Sequence, residues 1–364
     1  MWSFSSLLEK LNLSKADGLF YYEDLLSNKT DFLSVRTKDI LQNHVKPNAF
    51  FCINNEPVIL FFDKNDDIIE IQKIIWNFNL SPAIFINNGN EWIIKNGFKL
   101  LDNKSELDTL SNNITDFEYF KLITGETWEK YQKEFDYKNR VDYHLLDNID
   151  SARKILINQH YLPHKIANHL IGRVIFIRYL LDRGVDLTQY GILKKEDFYN
   201  FLDNKENTYL FFRRIKEDFN GNLFPLDYVI SNTSVKEEER VNENHLSVIK
   251  SLLQGATIHK DSTSILSLFD IYDFSVIPIE FVSNVYEKFI GVENQEKEGA
   301  YYTPLFLVDY IQKETISKYF EKNPTEYNCK VLDPACGSGI FLVEALRQIL
   351  LQYKNNNPSC LLYT

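Results

Sequence analysis

The chain has 364 residues, of which 44% are hydrophobic and 25% charged, with a formal net charge of −11. That length holds two or three domains of ordinary size, and the supply of aromatic and branched side chains excludes a disordered chain. Its apolar runs, such as Val58 to Phe62 and Val174 to Ile177, fall far short of the ~18 residues a membrane helix needs.

Residues 1–125 predict a small α/β domain. Leu7, Leu8 and Leu11 predict an opening helix, and the runs Ala49 to Ile53 and Pro57 to Phe62 predict two strands joined by Asn54-Asn55. Ile68, Ile69, Ile71, Ile74, Ile75 and Trp76 follow with broadly helical spacing. Ala83 to Ile86 and Trp92 to Ile94 then predict strands on either side of the turn Asn87-Asn88-Gly89-Asn90. Trp76 and Trp92 interrupt apolar runs without interleaved basic residues, which makes them core side chains rather than base-stacking platforms.

Residues 126–290 predict a helical region. Leu145, Ile149, Ala152 and Leu156 keep helical steps up to the break at Pro163; Ile166, Leu170, Val174, Ile177 and Leu181 resume the stripe until Gly184. Arg173, Arg178 and Arg183 recur every five residues and so point in different directions, as solvated or locally paired cations do. His160, His164 and His169 have no acidic residue at ligand spacing and predict no metal site. Ser234-Val235-Lys236-Glu237 has the form of a capping box opening a helix on a charged, solvated run from Lys236 to Arg240. Cys52, Cys329, Cys336 and Cys360 form no C-x-x-C pair, which fits a reduced cytoplasm, and no secretory signal precedes Leu7.

The chemistry concentrates in residues 291–364. Val331-Leu332 predicts a short strand, Asp333-Pro334-Ala335-Cys336-Gly337-Ser338-Gly339 a tight glycine loop, and Ile340 to Leu346 the start of a helix. At such a crossover a helix's first N–H groups favour a carboxylate or phosphate. A nicotinamide is disfavoured, because the place of the third glycine in G-x-G-x-x-G is taken by Leu342. Upstream lies Gly299-Ala300-Tyr301-Tyr302-Thr303-Pro304, and between the two segments Leu307, Tyr310, Ile311, Ile316 and Phe320 mark a helix.

The loop closely resembles the S-adenosylmethionine (SAM) loop of adenine-N6 DNA methyltransferases of bacterial restriction-modification systems. The Tyr-Tyr-Thr-Pro segment is similar to the one those enzymes place before the catalytic domain. The resemblance covers about residues 140–355, with only these two motifs diagnostic. It implies an α/β chain with a small amino-terminal α/β domain, a helical middle region and the incomplete start of a Rossmann-like SAM-dependent methyltransferase domain. It further implies SAM as cofactor and double-stranded DNA as partner. Asp333, Pro334, Ala335, Cys336, Gly337, Ser338 and Gly339 would hold the methionine part, with Tyr301, Tyr302, Thr303 and Pro304 covering it.

The same resemblance implies gaps. Family members carry an Asn- or Asp-Pro-Pro-aromatic segment for the target amine, whereas Asn323-Pro324-Thr325 and Asn357-Pro358-Ser359 do not continue that way. After Glu344 no acidic residue remains to hold the ribose hydroxyls. The expectation is an amino-terminal part, inactive by itself, that works with a missing carboxyl-terminal part. The acidic balance fits a chain whose basic surface is local or whose DNA-gripping part lies elsewhere. Fused restriction enzymes also carry an amino-terminal nuclease with Asp and Glu-x-Lys around magnesium, but Glu56, Glu70 and Glu91 each lack a Lys two residues on. The competing expectations are a non-catalytic DNA- or partner-binding protein with a relic SAM motif, and a SAM enzyme acting on protein or RNA.

Overall fold

The apolar runs of the first hundred residues assemble into one mixed sheet. Its strands are β1 (Leu19–Tyr21), β2 (Ala49–Ile53), β3 (Glu56–Asp63), β4 (Ala83–Asn87), β5 (Trp92–Leu100) and β6 (Leu107–Ser111), adjacent in that order. Neighbours pair antiparallel except β3 and β4, which run parallel. A parallel pair needs a crossover, and the helix Ile68–Phe78 supplies it. The β2–β3 hairpin turns at Asn54 and Asn55, with φ of 51° and 67°, the left-handed conformations that asparagine tolerates and that match the twist of the strands. The structure, a computed structural model, describes residues 3–63, 68–101, 106–218, 225–230, 232–258, 264–265, 270–277, 281, 303, 305–334, 336 and 339–357. The chain divides into two units, Met1–Thr30 with Ile40–Ile277, and Asp31–Asp39 with Pro278–Thr364.

In the first unit, alternate residues of the sheet fill a core on one face. Phe51, Ile59, Phe61, Ala83, Phe85 and Ile94 join Leu7, Leu8 and Leu11 of the opening helix (Phe4–Lys10) and Phe117, Leu122 and Tyr131. Phe61 and Phe85 lie 5.1 Å apart between ring centroids, and Phe117 meets Phe85 edge-on at 5.5 Å. Phe50, Leu60, Phe62 and Ile84, pointing the other way, are equally buried, so both faces are covered. Trp76 is 2% exposed and its indole N–H donates to the carbonyls of Phe98 and Asn139, each at 3.1 Å. Trp76 and Trp92 are both core residues.

The helices Val141–Lys154 and His164–Asp182 flank the break at Pro163, and Gly184 ends the second with φ +73°. The region is not uniformly helical, because β7 (Asp227–Ile230) and β8 (Thr233–Lys236) form a hairpin inside it. Ser234 stands in β8 and does not form the expected capping box. The helix expected on Lys236 to Arg240 is present as the single turn Glu237–Arg240, with Lys236 at its N-cap, and Glu237 is buried rather than solvated. It meets Arg173, which is likewise buried: Nη1 and Nη2 reach its two carboxylate oxygens at 2.6 and 3.1 Å. The hydroxyls of Tyr209 and Tyr228 donate to the same carboxylate at 3.0 and 2.7 Å. Arg178 is also buried, between Asp182 and Asp270, each at 2.9 Å. Arg183 donates to the carbonyls of Phe274 and Ile277. Of the two expected states, solvated or locally paired, Arg178 shows the local pair with Asp182 four residues on, whereas Arg173 is neither solvated nor locally paired; Glu237 and Asp270 arrive from distant segments that local spacing cannot reveal.

His169 sits half-buried against Tyr228, ring centroids 5.5 Å apart. Burial first, and then the positive charge of Arg173, lower its pKa from the usual 6.5. A histidine held neutral in the fold binds fewer protons than in the unfolded chain. Its contribution is therefore complete above the unfolded pKa and is lost as pH falls below it. The urea midpoint is expected to drop between about pH 7.5 and about pH 5.5, and His169→Phe to shrink that drop; an unaltered pH dependence in the variant would refute the assignment.

Among the described residues no helix is long and apolar enough to cross a membrane, and no group of three or more His, Cys, Asp or Glu could hold a metal ion.

Candidate functional site

Among the described residues of the second unit, two helices frame the glycine loop. The first runs from Leu305 to Lys322 and contains a π turn at Lys313–Ser317; the second is Ile340–Asn356. The wider π turn follows directly on Gln312, and such single turns recur at functional sites. Ile316 and Phe320 pack against Ala345, with Cys329 and Ile349 alongside. Tyr327 meets Tyr353 edge-on at 4.8 Å, and Ser317 bonds Gln348 at 3.1 Å. The apolar spacing predicted between the two motifs is therefore a real helix docked on the helix that follows the loop.

The predicted strand Val331-Leu332 is corrected. Residues 326–333 are neither helical nor laddered, and Leu332 is 86% exposed. A strand exists only where a neighbour takes its N–H and C=O groups, and among the described residues none lies beside this one. Where the segment ends, the chain turns at Pro334 and enters the helix through Gly339. Gly339 has φ +79°, and its N–H donates to the carbonyl of Cys336 at 2.6 Å. A Cβ placed on it would meet nothing within 4 Å, so backbone conformation, not crowding, demands glycine there.

Beside the loop lies a cavity of about 480 Å³, bounded by Ile311, Gln312, Thr315, Asp333, Pro334 and Phe341 among others. Most polar groups around it already have partners. The Thr315 hydroxyl donates to Ile311 O at 2.7 Å and the Tyr319 hydroxyl to Glu326 at 2.6 Å. Gln312 is 3% exposed; its Nε2 donates to Phe341 O at 2.8 Å, while its Oε1 is buried with no hydrogen-bond partner.

Of the predicted site residues, Asp333 and Pro334 line this cavity. Asp333 is half-buried with Oδ2 shielded from solvent, and Pro334 and Cys336 are exposed. Thr303 is half-buried and, like Cys336 and Gly339, is not part of the lining. Tyr301, Tyr302, Pro304, Ala335, Gly337 and Ser338 lie outside the described residues. The residue that sequence reasoning missed is Gln312. Its signal was present: it stands four residues after Val308 and four before Ile316, both buried, as a lone amide on an apolar stripe.

A larger cavity, about 580 Å³, lies in the first unit between Lys73, Arg178, Asp182, Lys195, Tyr272 and Asp273. Two of its cations pair with neighbours, Arg178 with Asp182 and Asp270, and Lys195 with Asp270 at 2.7 Å. That arrangement braces the fold.

Comparison with known proteins bears on the second unit most directly. Residues 278–363 match the family described as N-6 DNA Methylase. The chain is 28% identical over 248 residues to the type II restriction enzyme and methyltransferase RM.Eco57I of Escherichia coli, an alignment covering 60% of this chain and 22% of that protein. It is 23% identical over 254 residues to RM.MjaORFECS2P of Methanocaldococcus jannaschii, named for the same pair of activities, covering 51% of this chain and 21% of that protein. The chain thus spans about a fifth of the length of these curated relatives. No solved structure matches it.

Proposed function

From the kinship of this chain with the N6-adenine DNA methyltransferases of restriction-modification systems, we propose that its second unit provides the SAM-holding part of such an enzyme, with double-stranded DNA as the substrate of the whole protein. The observation that carries this reading is the cavity at Asp333-Pro334, beside a loop that enters a 17-residue helix through a left-handed glycine. The fit to SAM rests on two features. Gly339 leaves open space where a side chain would stand, and the buried Gln312 Oε1 awaits a donor.

On this reading Asp333 and the loop through Gly339 orient the amino-acid end of the cofactor, and Thr303 closes over it from the upstream segment. The bound cofactor supplies an electrophilic methyl group on a sulfonium centre. The chain's share of the work is positioning, since an in-line displacement by an exocyclic amine gains most from a fixed approach distance and angle. The target base must leave the duplex stack to reach such a site. The sequence holds no Asn/Asp-Pro-Pro-aromatic segment, so the groups that receive the base are not assigned to this chain.

Ligand-observed NMR with the full chain and S-adenosylhomocysteine tests the reading. Transfer of saturation to the ligand is expected for the wild type and not for Gly339→Val, whose branched side chain the left-handed backbone disfavours. A folded wild type that shows no transfer at millimolar ligand would sink it and leave the non-catalytic reading.

A further inference from the structure

Resting on that reading, we propose that Gln312 is a positioning residue for the cofactor, its Oε1 accepting a hydrogen bond from the ammonium group of the amino-acid portion. The orientation of the amide follows from its neighbour. Phe341 O lies 2.8 Å from one terminal atom of Gln312, and a carbonyl oxygen can only accept, so the NH₂ faces Phe341 and the oxygen faces away. That oxygen is buried and has no partner, on a side chain 3% exposed in the wall of the cavity that Asp333 also lines.

Native structures leave few buried acceptors unpaired, and each one found calls for a donor. The other polar side chains of the wall do not provide it: Thr315 and Tyr319 direct their hydroxyls to Ile311 O and Glu326, and neither Cys329 nor Lys330, which also line the cavity, bonds to the Gln312 oxygen. What would satisfy the site is a group with several donors, no acceptor and positive charge, since a neutral acceptor and a carboxylate share one cavity. An ammonium has those properties. A nucleobase edge, which mixes donors with acceptors, would set its acceptors against Asp333.

The docking role of Gln312 separates from its ligand role. Its Nε2 ties the helix before the loop to the first turn of the helix after it, so the same side chain that frames the cavity also presents the acceptor.

The test compares two ligands on the full chain: S-adenosylhomocysteine, which carries the ammonium, and 5′-methylthioadenosine, which keeps the thioether, ribose and adenine without the amino-acid portion. Gln312→Leu is expected to weaken S-adenosylhomocysteine on the order of 10-fold and to leave methylthioadenosine unchanged. Gln312→Lys, which can still donate to Phe341 O but replaces the acceptor with a cation, should weaken S-adenosylhomocysteine at least as much, with circular dichroism unchanged in both variants. Equal loss for the two ligands, or no loss for either, overturns the proposal while leaving the cofactor reading in place. A wild type that binds neither ligand overturns both.

Discussion

Arg173→Met is expected to cost the first unit about 3–5 kcal/mol of stability, the size seen when one partner of a buried ion pair is removed. Both side chains are fully out of solvent, and Arg173 also donates to Pro225 O at 2.8 Å and lies 4.7 Å over the Phe212 ring. Removing the guanidinium strands a carboxylate that accepts from two tyrosines. Burial first, and then Glu237, push the hydroxyl pKa of Tyr209 upward. Burial and then Glu237 do the same for Tyr228, so both stay protonated donors at neutral pH, but they cannot neutralise the charge. The double variant Arg173→Met/Glu237→Leu should recover much of the loss, because an apolar pair of similar volume avoids the desolvation penalty. Recovery stays partial, since both tyrosine hydroxyls lose an acceptor. Urea unfolding followed by fluorescence measures all three proteins. A single-variant loss below about 1 kcal/mol, the range of exposed pairs, would show that the pair is not buried as described.

Trp76→Ala is expected to cost a similar amount, about 3–5 kcal/mol, the range for emptying a large aromatic site in a close-packed core. The indole lies against Tyr272 at 6.1 Å and His144 at 5.6 Å, and its N–H donates to Phe98 in β5 and to Asn139 just before the Val141–Lys154 helix. One side chain therefore joins the sheet to the helical region. Its neighbour Asn77 acts in parallel, donating to Ile271 O at 2.8 Å and accepting from Asp273 N at 3.0 Å. Trp76→Phe separates the two contributions: it keeps most of the apolar volume and loses only the donor, so its cost should be about 1–3 kcal/mol, the penalty of an unpaired buried group. Denaturant midpoints of the two variants decide it. Equal losses for Ala and Phe would mean that the N–H alone carries the effect.

Much of this arrangement was legible in the order of residues. The strands at Ala49 and Pro57, the turn at Asn54-Asn55 and the helix ending in Trp76 follow from short-range patterns, and each stands near its expected place. The helix before the glycine loop and the helix after it were likewise readable, because 3.6-residue spacing is a property of a dozen neighbouring side chains. Two strands of the sheet were not. β1 is three residues, too short for a pattern to rise above chance, and β6, Leu-Asp-Thr-Leu-Ser, holds only two apolar side chains; the parallel pairing of β3 with β4 is a matter of packing rather than of either run.

The candidate site divides in the same way. The glycine loop and its left-handed Gly339 are announced by residue type, since only a residue without Cβ adopts that backbone freely. The paired strand expected at Val331-Leu332 had the right composition but lacks a neighbour among the described residues, and composition cannot supply one. Gln312 looked like one more polar residue on a helix; only the approach of Phe341, 29 residues away, turns it into a fixed amide with a buried oxygen.

By itself, then, the sequence determined the local elements, the hairpin turn and the glycine loop whose resemblance implies SAM, because each depends on side chains within a few positions of one another. The tertiary structure alone decided that Arg173 pairs with Glu237 across 64 residues, that Trp76 bridges sheet and helices, and that Gln312 faces the cavity beside Asp333. Those are contacts whose cost or gain exists only once water has been removed, and the linear order of residues does not say where that happens.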